Sequence, residues 1–148
     1  MPRNNIPADH RIARLCRSLY EGLRDHVYAE AAAQGFPDLR PAHSAVLRHI
    51  DPAGSRVVQL AERAGMTKQS MAYLTDSLTK LGYVAIGPDP EDRRAKRVAL
   101  TTRGRGAVAL LERLSWDAEA KISARLSPAR LAALRADLGE ALEAIREI

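Results

Sequence analysis

Apolar residues recur every three or four positions near both ends of the chain, a spacing typical of helices that bury one face. In the first such stretch the repeat predicts a helix from about Asp9, which Gly35 and Pro37 close. A second long helix is expected over about residues 103–126, and a third follows Ser127, which suits a helix cap. The inward positions expected in the first helix are Ile12, Leu15, Cys16, Leu19, Leu23 and Val27.

The centre of the chain contains shorter amphipathic segments that glycines separate. Helices are expected over about residues 42–50 and 57–64, and a further helix begins after Thr67. Gly65 lies where a helix ends and the chain must turn, and the Thr67 hydroxyl can accept from the amide of Ser70 as an N-cap. Two short helices joined by such a turn form a helix-turn-helix. The apolar stripe of its second helix is Met71, Leu74, Leu78 and Leu81.

Two short stretches with alternating polarity, residues 83–86 and 97–100, follow the helix-turn-helix. Their β-branched residues predict strands, and the charged segment between them reads as the loop of a hairpin. A helix-turn-helix followed by a β-hairpin is a winged helix. The sequence therefore predicts a mainly α fold with a small β-hairpin wing, flanked by N- and C-terminal helices.

The long terminal helices carry more apolar surface than the small central lobe can cover. We therefore expect one domain over residues 1–148, with a winged-helix lobe at about 40–103 and dimerisation helices at about 9–34 and 104–148. Two-fold dimers are the commonest assembly, and a second copy would bury the exposed stripes. The expected partner of these helices is thus the chain itself, as a homodimer.

Positive charge is concentrated in the predicted central lobe. The chain has a formal net charge of +5 and a pI of about 9.8. Residues 56–103 hold nine basic side chains and five acidic ones, so most of the excess charge lies in a third of the length. A basic surface of this kind suits an anionic partner, and neutralising phosphates is its commonest use. Double-stranded DNA is therefore the expected partner of the lobe.

The polar face of the second helix of the motif supplies candidate base contacts. The first residues of such a helix point at base edges in the major groove. Gln69 can pair with adenine, Lys68 can reach guanine or a phosphate, Ala72 can touch a thymine methyl, and Tyr73 can donate to a phosphate. The residues predicted on this face of the site are Thr67, Lys68, Gln69, Ser70, Ala72 and Tyr73.

The hairpin loop supplies candidate backbone and minor-groove contacts. An arginine gains from the negative potential of the narrow minor groove, and a carboxylate two residues away can orient its guanidinium. Asp92 and Arg94 have that spacing. Arg93, Lys96 and Arg97 are the expected phosphate contacts of this wing.

The chain resembles the MarR family of bacterial transcription regulators. The resemblance rests on LAERAGMTKQSMAYLTDSLTKLGYV and, above all, on DPEDRRAKRVALTTRG, which carries the family's D-x-R wing and L-T-x-x-G strand end. It implies a sequence-specific repressor whose dimer places two recognition helices on a palindromic operator. Within it, Arg94 matches the arginine that enters the minor groove and Asp92 the acid that orients it.

The resemblance also implies a small aromatic or phenolic effector, bound between the dimerisation helices and the reading lobe. The residues predicted to line that pocket are His26, His43, Leu19 and Leu47. An alternative trigger is peroxide sensing through Cys16, with Tyr20 matching a tyrosine of the peroxide-sensing branch. A second alternative is a winged helix that serves only as a protein-interaction or dimerisation module.

Several function classes find no support in the sequence. The histidines have no metal-ligand spacing with each other or with Cys16, and neither a phosphate-binding loop nor a nucleophile–base pair is visible. We therefore expect no enzyme activity, no metal and no cofactor. With no long apolar run, no apolar signal-peptide core and a single cysteine, a cytoplasmic protein without a membrane partner is expected.

Overall fold

The computed structural model describes residues 10–148, so that Asp9 and the N-terminal segment considered above for a signal peptide lie outside the described residues. The first helix, α1 (Ile12–Ala33), is followed by a 3-10 turn (Pro41–His43) that leads directly into α2 (Ser44–Leu47). The central elements are α3 (Val57–Ala64), α4 (Lys68–Lys80), β1 (Val84–Pro88) and β2 (Lys96–Leu100). Two long helices, α5 (Thr102–Leu126) and α6 (Pro128–Arg146), complete the described chain.

The mainly α fold with a β-hairpin wing is confirmed. Strands β1 and β2 pair antiparallel, with Val84 opposite Leu100 and Pro88 opposite Lys96. Ser55 forms an isolated antiparallel bridge with β2, because its amide and carbonyl exchange 2.9 Å hydrogen bonds with those of Val98. This bridge ties the wing to the segment that precedes α3.

The two central helices form as the sequence predicts because their end signals are local. Gly65 ends α3 in the left-handed conformation with a φ of 63°. The Thr67 hydroxyl accepts from the Ser70 amide at 3.1 Å and starts α4. The buried residues of α4 are Met71, Leu74, Thr75 and Leu78, so the opposite face of this helix is left to solvent; Leu81, predicted on the same stripe, is the half-buried C-cap residue.

The second strand and α5 each start one residue earlier than predicted, and two other predicted elements differ more from the structure. The helix expected at 42–50 is split into the 3-10 turn and α2, because His43 Nδ1 accepts the Arg40 amide at 3.0 Å and tightens the first turn. The first strand starts one residue later than predicted, because the Tyr83 amide still bonds to Leu78 O at 2.9 Å and its side chain is fully buried. It also extends to Pro88, at a strand end where proline is tolerated.

The core lies where α1, α4, the wing and α5 meet. Its fully buried apolar side chains, which come also from α2 and α3, are Ala31, Val46, Leu60, Met71, Leu78, Tyr83, Val98 and Ala107. Helix α5 approaches this core closely at Gly104, where a Cβ atom would stand 1.9 Å from Tyr83 O. The start of α5 is thus seated on the backbone that links α4 to the wing.

Candidate nucleic-acid interface

The exposed face of α4 carries the predicted base-contacting residues. Lys68, Gln69, Ser70 and Tyr73 are exposed, Tyr73 to 75%, and Ala72 is half-buried. The Thr67 hydroxyl is already used in capping α4, and it also donates to Ser70 Oγ at 2.9 Å. Thr67 therefore fixes the start of the helix, while the residues after it offer free polar groups.

The wing loop, residues 89–95, presents exposed cations beside this face. Arg93, Arg94 and Lys96 are exposed and form neither side-chain hydrogen bonds nor ion pairs with the rest of the chain that the structure describes. The loop is closed by a 3.0 Å bond from the Asp89 amide to Ala95 O. The wing tip is thus ordered by its backbone, and its guanidinium groups point to no internal partner.

Asp92 orders the loop in a different way from the one predicted. Its Oδ1 atom accepts from the backbone amide of Arg94 at 3.0 Å, and the contact expected with the Arg94 guanidinium is absent from residues 10–148. A carboxylate two residues before an amide readily forms this turn, which needs no long side chain to be immobilised. In this state Asp92 shapes the loop rather than holding the arginine head.

Arg97, one of the predicted phosphate contacts, is engaged within the protein in this structure. Its Nη1 donates to Ala53 O at 3.3 Å and its Nη2 lies 3.5 Å from Asp89 Oδ1. Its stem lies against Gly54, where a Cβ atom would stand 2.8 Å from Arg97 Cγ. The pairing of Ser55 with Val98 accounts for this, because it brings the segment Ala53–Gly54 against the Arg97 side chain, whereas Lys96 at the start of β2 is exposed.

Asp89 is the residue of the wing that sequence reasoning missed. Its carboxylate is fully buried, accepts from Arg56 Nε at 2.6 Å and accepts from the Glu91 amide at 2.9 Å. The Arg56 bond and the Glu91 amide together hold the pKa of Asp89 below its ordinary value. The sequence signal for this contact is weak, because 33 residues separate Asp89 from Arg56.

Internal ion pairs divide the nine basic residues of segment 56–103 into two groups. Four are paired within the fold: Arg56 and Arg97 with Asp89, Arg63 with Asp51, and Arg103 with Asp38. The other five have no carboxylate partner in residues 10–148 and lie on α4, the wing tip and the start of β2; they are Lys68, Lys80, Arg93, Arg94 and Lys96. The cations without an internal carboxylate partner are therefore those of α4, the wing tip and the start of β2.

A cleft of about 540 Å³ lies between α1, α2 and α5. Leu47 lines it as predicted, and apolar residues make up most of its wall. The functional groups that sequence reasoning missed here are Tyr20, Arg24, Tyr28 and Arg48. A second cleft shares Tyr20, Arg24, Ser44 and Arg48 with the first and reaches Gln69, Ser70 and Tyr73 of α4.

Three of the predicted pocket residues lie outside this cleft. His43 is buried; its Nδ1 accepts the Arg40 amide, so its Nε2 donates to Ser77 Oγ at 3.1 Å. Burial, helped by the Arg40 charge, lowers the pKa of His43. His26 is exposed with Nε2 at 3.2 Å from Lys121 Nζ, and Leu19 lies on the exposed part of α1. These three residues differ in position from Leu47 because periodicity does not show which helix face turns to which neighbour.

Two arginines flank one tyrosine in the cleft. The guanidinium carbons of Arg48 and Arg24 lie 5.3 and 5.8 Å from the centre of the Tyr20 ring, and Arg48 Nη1 donates to Tyr20 Oη at 3.1 Å. Arg24 is paired with Asp25, whereas Arg48 has no carboxylate partner within residues 10–148. Burial raises the pKa of Tyr28, which is therefore a neutral hydroxyl in this wall.

Cys16 is exposed on α1, together with the other apolar residues at the start of that helix. The expectation that it faces inward is not met within this chain, because α5 covers α1 only from its middle onward. No group of histidine, cysteine and acidic residues in the described range 10–148 is arranged to hold a metal. Among the same residues, no helix is both long and apolar enough to cross a membrane.

The chain was compared with known families and structures. A family model described as MarR family matches residues 38–95. The HTH-type transcriptional regulator PrsX of Escherichia coli is 29% identical over 111 residues, which cover 69% of this chain and 64% of PrsX, so that less than two thirds of that relative is spanned.

Two solved structures share the fold at low sequence identity. The crystal structure of the MarR family transcription regulator SP03579 is 20% identical with a TM-score of 0.74, over 91% of this chain and 87% of that one. The transcriptional repressor CouR, bound to a 23-mer DNA duplex, is 21% identical with a TM-score of 0.70, over 90% and 94% of the two chains. The matched segment contains α3, α4 and most of the wing, so residues 38–95 are similar to the MarR family, and the chain shares the winged helix-turn-helix fold of these solved structures.

Proposed function

We propose that this chain is a sequence-specific DNA-binding transcription regulator. The observation that carries the proposal is the capped helix α4, whose free polar face lies beside a wing with three unpaired cations. In this arrangement α4 enters the major groove and Arg94 enters the adjacent minor groove. MarR regulators bind DNA and are not enzymes, so the proposal includes no enzymatic activity. The cytoplasmic location expected from the sequence agrees with the proposal, because bacterial operators lie in the cytoplasm.

In this function each exposed residue has a distinct role. Gln69 and Lys68 meet base edges, with Ser70, Ala72 and Tyr73 filling the rest of the groove contact. Arg93 and Lys96 meet phosphates on either side of Arg94, and Asp92 keeps the loop that carries them in shape. The structure of CouR on a DNA duplex supports this use of the fold.

The acting form in this proposal is a homodimer on a palindromic operator. Ile12 is 71% exposed, Leu142 59% and Ile145 64%, although each belongs to an apolar stripe of α1 or α6. Helices with unburied stripes at both ends of a chain suit a two-fold partner that brings the same surfaces. Such a dimer presents two copies of α4, which match two half-sites about one helical turn apart.

Selection of bound fragments from a random DNA library tests DNA binding and the operator together. Wild type is expected to enrich one inverted repeat, and Arg94→Ala and Gln69→Ala are expected to lose the enrichment. Arg40→Ala is the matched control, because this exposed arginine belongs to neither α4 nor the wing. Wild-type protein that is folded and dimeric but enriches no sequence would instead favour the interaction-module alternative.

The cleft beside α2 supports repression that a small effector relieves. Its cations, Arg24 and Arg48, line the α1–α2 side, and the carboxylates of Glu112 and Glu119 line the α5 side. An aromatic acid with a phenolic hydroxyl matches both sides, since its anionic group can pair with Arg48 and its hydroxyl can donate to a carboxylate. The effector class proposed is therefore a small aromatic or phenolic acid.

This effector proposal is tested by release of labelled operator DNA with a series of hydroxybenzoates and their uncharged amides. The acids are expected to release wild type, the amides to fail, and Arg48→Gln to remain bound at the same acid concentration. Release by acids and amides alike would contradict a role for Arg48. Peroxide sensing is the alternative trigger that the exposure of Cys16 favours, and release of Cys16→Ser by peroxide would exclude it.

A further inference from the structure

The wing that is proposed to bind negatively charged DNA contains a buried negative charge, the carboxylate of Asp89. The Asp89 side chain is 0% exposed, whereas Glu91 and Asp92 in the same loop are exposed. Burying a charge is costly unless partners compensate it, so such a residue needs a reason to be there. The contacts that Asp89 makes supply that reason.

Asp89 connects three elements that lie far apart in the sequence. Arg56, which donates to Oδ2, is the N-cap residue of α3. Arg97 on β2 approaches Oδ1 and extends to Ala53 O, while Arg97 Nε is buried without a hydrogen-bond partner in the described part of the chain. The Glu91 amide, which donates to Oδ1, belongs to the wing loop itself. One carboxylate thus fastens the wing loop, β2 and the first helix of the helix-turn-helix to each other.

We propose that Asp89 is a positioning residue for DNA binding, which holds the wing against α3 and so fixes the reach of Arg93 and Arg94 relative to α4. The inference rests on the proposed DNA-binding function. It also assigns Arg56 and Arg97 to the wing anchor and so removes Arg97 from the set of phosphate contacts. An anchored wing loses less conformational freedom on binding, which raises affinity without a new DNA contact.

Charge-matched substitutions separate this role from simple electrostatics. Asp89→Asn and Glu91→Gln each remove one negative charge from the wing, and electrostatics alone would raise DNA affinity equally in both. The anchor makes the two differ: Glu91→Gln is expected to bind the operator as tightly as wild type or more tightly, and Asp89→Asn about tenfold more weakly. Equal or improved binding by Asp89→Asn would overturn the proposal.

The salt dependence of binding distinguishes an anchor from a phosphate contact. Removing a phosphate contact makes the slope of log affinity against log salt shallower by about one per protomer. Lys96→Gln is expected to show that change, whereas Arg56→Gln is expected to bind more weakly with an unchanged slope. A slope change in Arg56→Gln equal to that in Lys96→Gln would refute the anchor role. Arg56→Gln also tests the anchor if Asp89→Asn does not fold.

Hydrogen exchange tests the anchor without DNA, so that its failure can be told from failure of the proposed function. In Asp89→Asn the amides of residues 89–95 are expected to exchange about tenfold faster than in wild type, while those of α4 keep their protection. Unchanged exchange in the wing would overturn the anchor even if the protein binds DNA. If the wild-type protein binds no DNA but Asp89→Asn still shows faster exchange in the wing, the anchor is supported and the DNA-binding role that it is proposed to serve is rejected.

Discussion

Gly104, the third residue of α5, allows that helix to rest directly on the backbone between α4 and the wing. A Cβ atom there would lie 1.9 Å from Tyr83 O and 3.0 Å from Tyr83 C. Tyr83 is fully buried and its backbone is held on both sides, so the atom that would clash cannot move aside alone. Gly104→Ala is therefore expected to destabilise the fold, although alanine is the better helix former.

The size of the effect follows from the shift that α5 must make. An ordinary carbon–oxygen contact is about 3.3 Å, so the helix start has to retreat by more than about 1 Å. That movement stretches the 3.0 Å bond from the Thr101 amide to Tyr83 O and the 2.6 Å bond from Thr101 Oγ1 to Gly82 O. Overpacking at about 1–3 kcal/mol, and weakened bonds at about 1 kcal/mol each, outweigh a helix gain of about 1 kcal/mol. A net loss of about 2–4 kcal/mol is expected.

Chemical denaturation followed by circular dichroism measures this loss, and Gly106→Ala is the matched control. The nearest atom to a Cβ at Gly106 would be Phe36 Cζ at 4.0 Å, an ordinary contact, in the same helix. Gly106→Ala is expected to raise the free energy of unfolding by up to about 1 kcal/mol, because only the helix propensity changes. If both substitutions stabilise the protein, the close seating of α5 is not real and the reasoning fails.

Three further predictions concern a buried histidine, a helix cap and the dimer surface. Burial lowers the pKa of His43, so as the pH falls this imidazole is protonated in the unfolded chain before it is protonated in the folded protein. The contribution of neutral His43 to the free energy of unfolding is therefore fully present above about pH 6.5 and is lost as the pH drops through the folded-state pKa. Thermal melts from pH 7.5 to 5 should show that loss in wild type and a smaller one in His43→Asn, and parallel curves would contradict it. Thr67→Ala should lower the free energy of unfolding by about 1 kcal/mol in urea titrations, through loss of the bond to the Ser70 amide, and no change would mean that the cap is unimportant. Leu142→Glu should convert a dimer to a monomer in light scattering at micromolar concentration, and a wild-type mass near 16.2 kDa would contradict the dimer itself.

Features of the fold that depend on neighbouring residues could be predicted from the sequence. Gly65, Thr67 and Thr101 act within one helical turn, so a glycine that ends a helix and a hydroxyl that caps the next one are readable from spacing alone. The buried stripe of α4 follows from its period, and the solvent-facing residues of the candidate interface follow as its complement. This is why most of the residues predicted to contact bases lie on the exposed face of α4.

Features that depend on contacts across the chain could not be predicted from the sequence. Arg97 and Lys96 are adjacent and chemically alike, and only the pairing of β2 with the segment before α3 shows which of them turns inward. The burial of Asp89 depends on Arg56, and the close approach at Gly104 depends on Tyr83. His43 was assigned to a pocket because a histidine near a helix junction gives no sign of which side its ring faces. These features depend on tertiary contacts and not on the local sequence pattern.

Equilibrium binding of wild-type protein to its selected DNA site, beside a shuffled duplex of the same composition, tests the central proposal most directly. Fluorescence anisotropy at several salt concentrations should show affinity for the selected site at least about a thousandfold above that for the shuffled one, falling steeply with salt. The preference should be lost in Gln69→Ala, whereas Arg40→Ala should keep it. Equal affinity for the two duplexes at every salt concentration would contradict sequence-specific recognition by α4 and the wing.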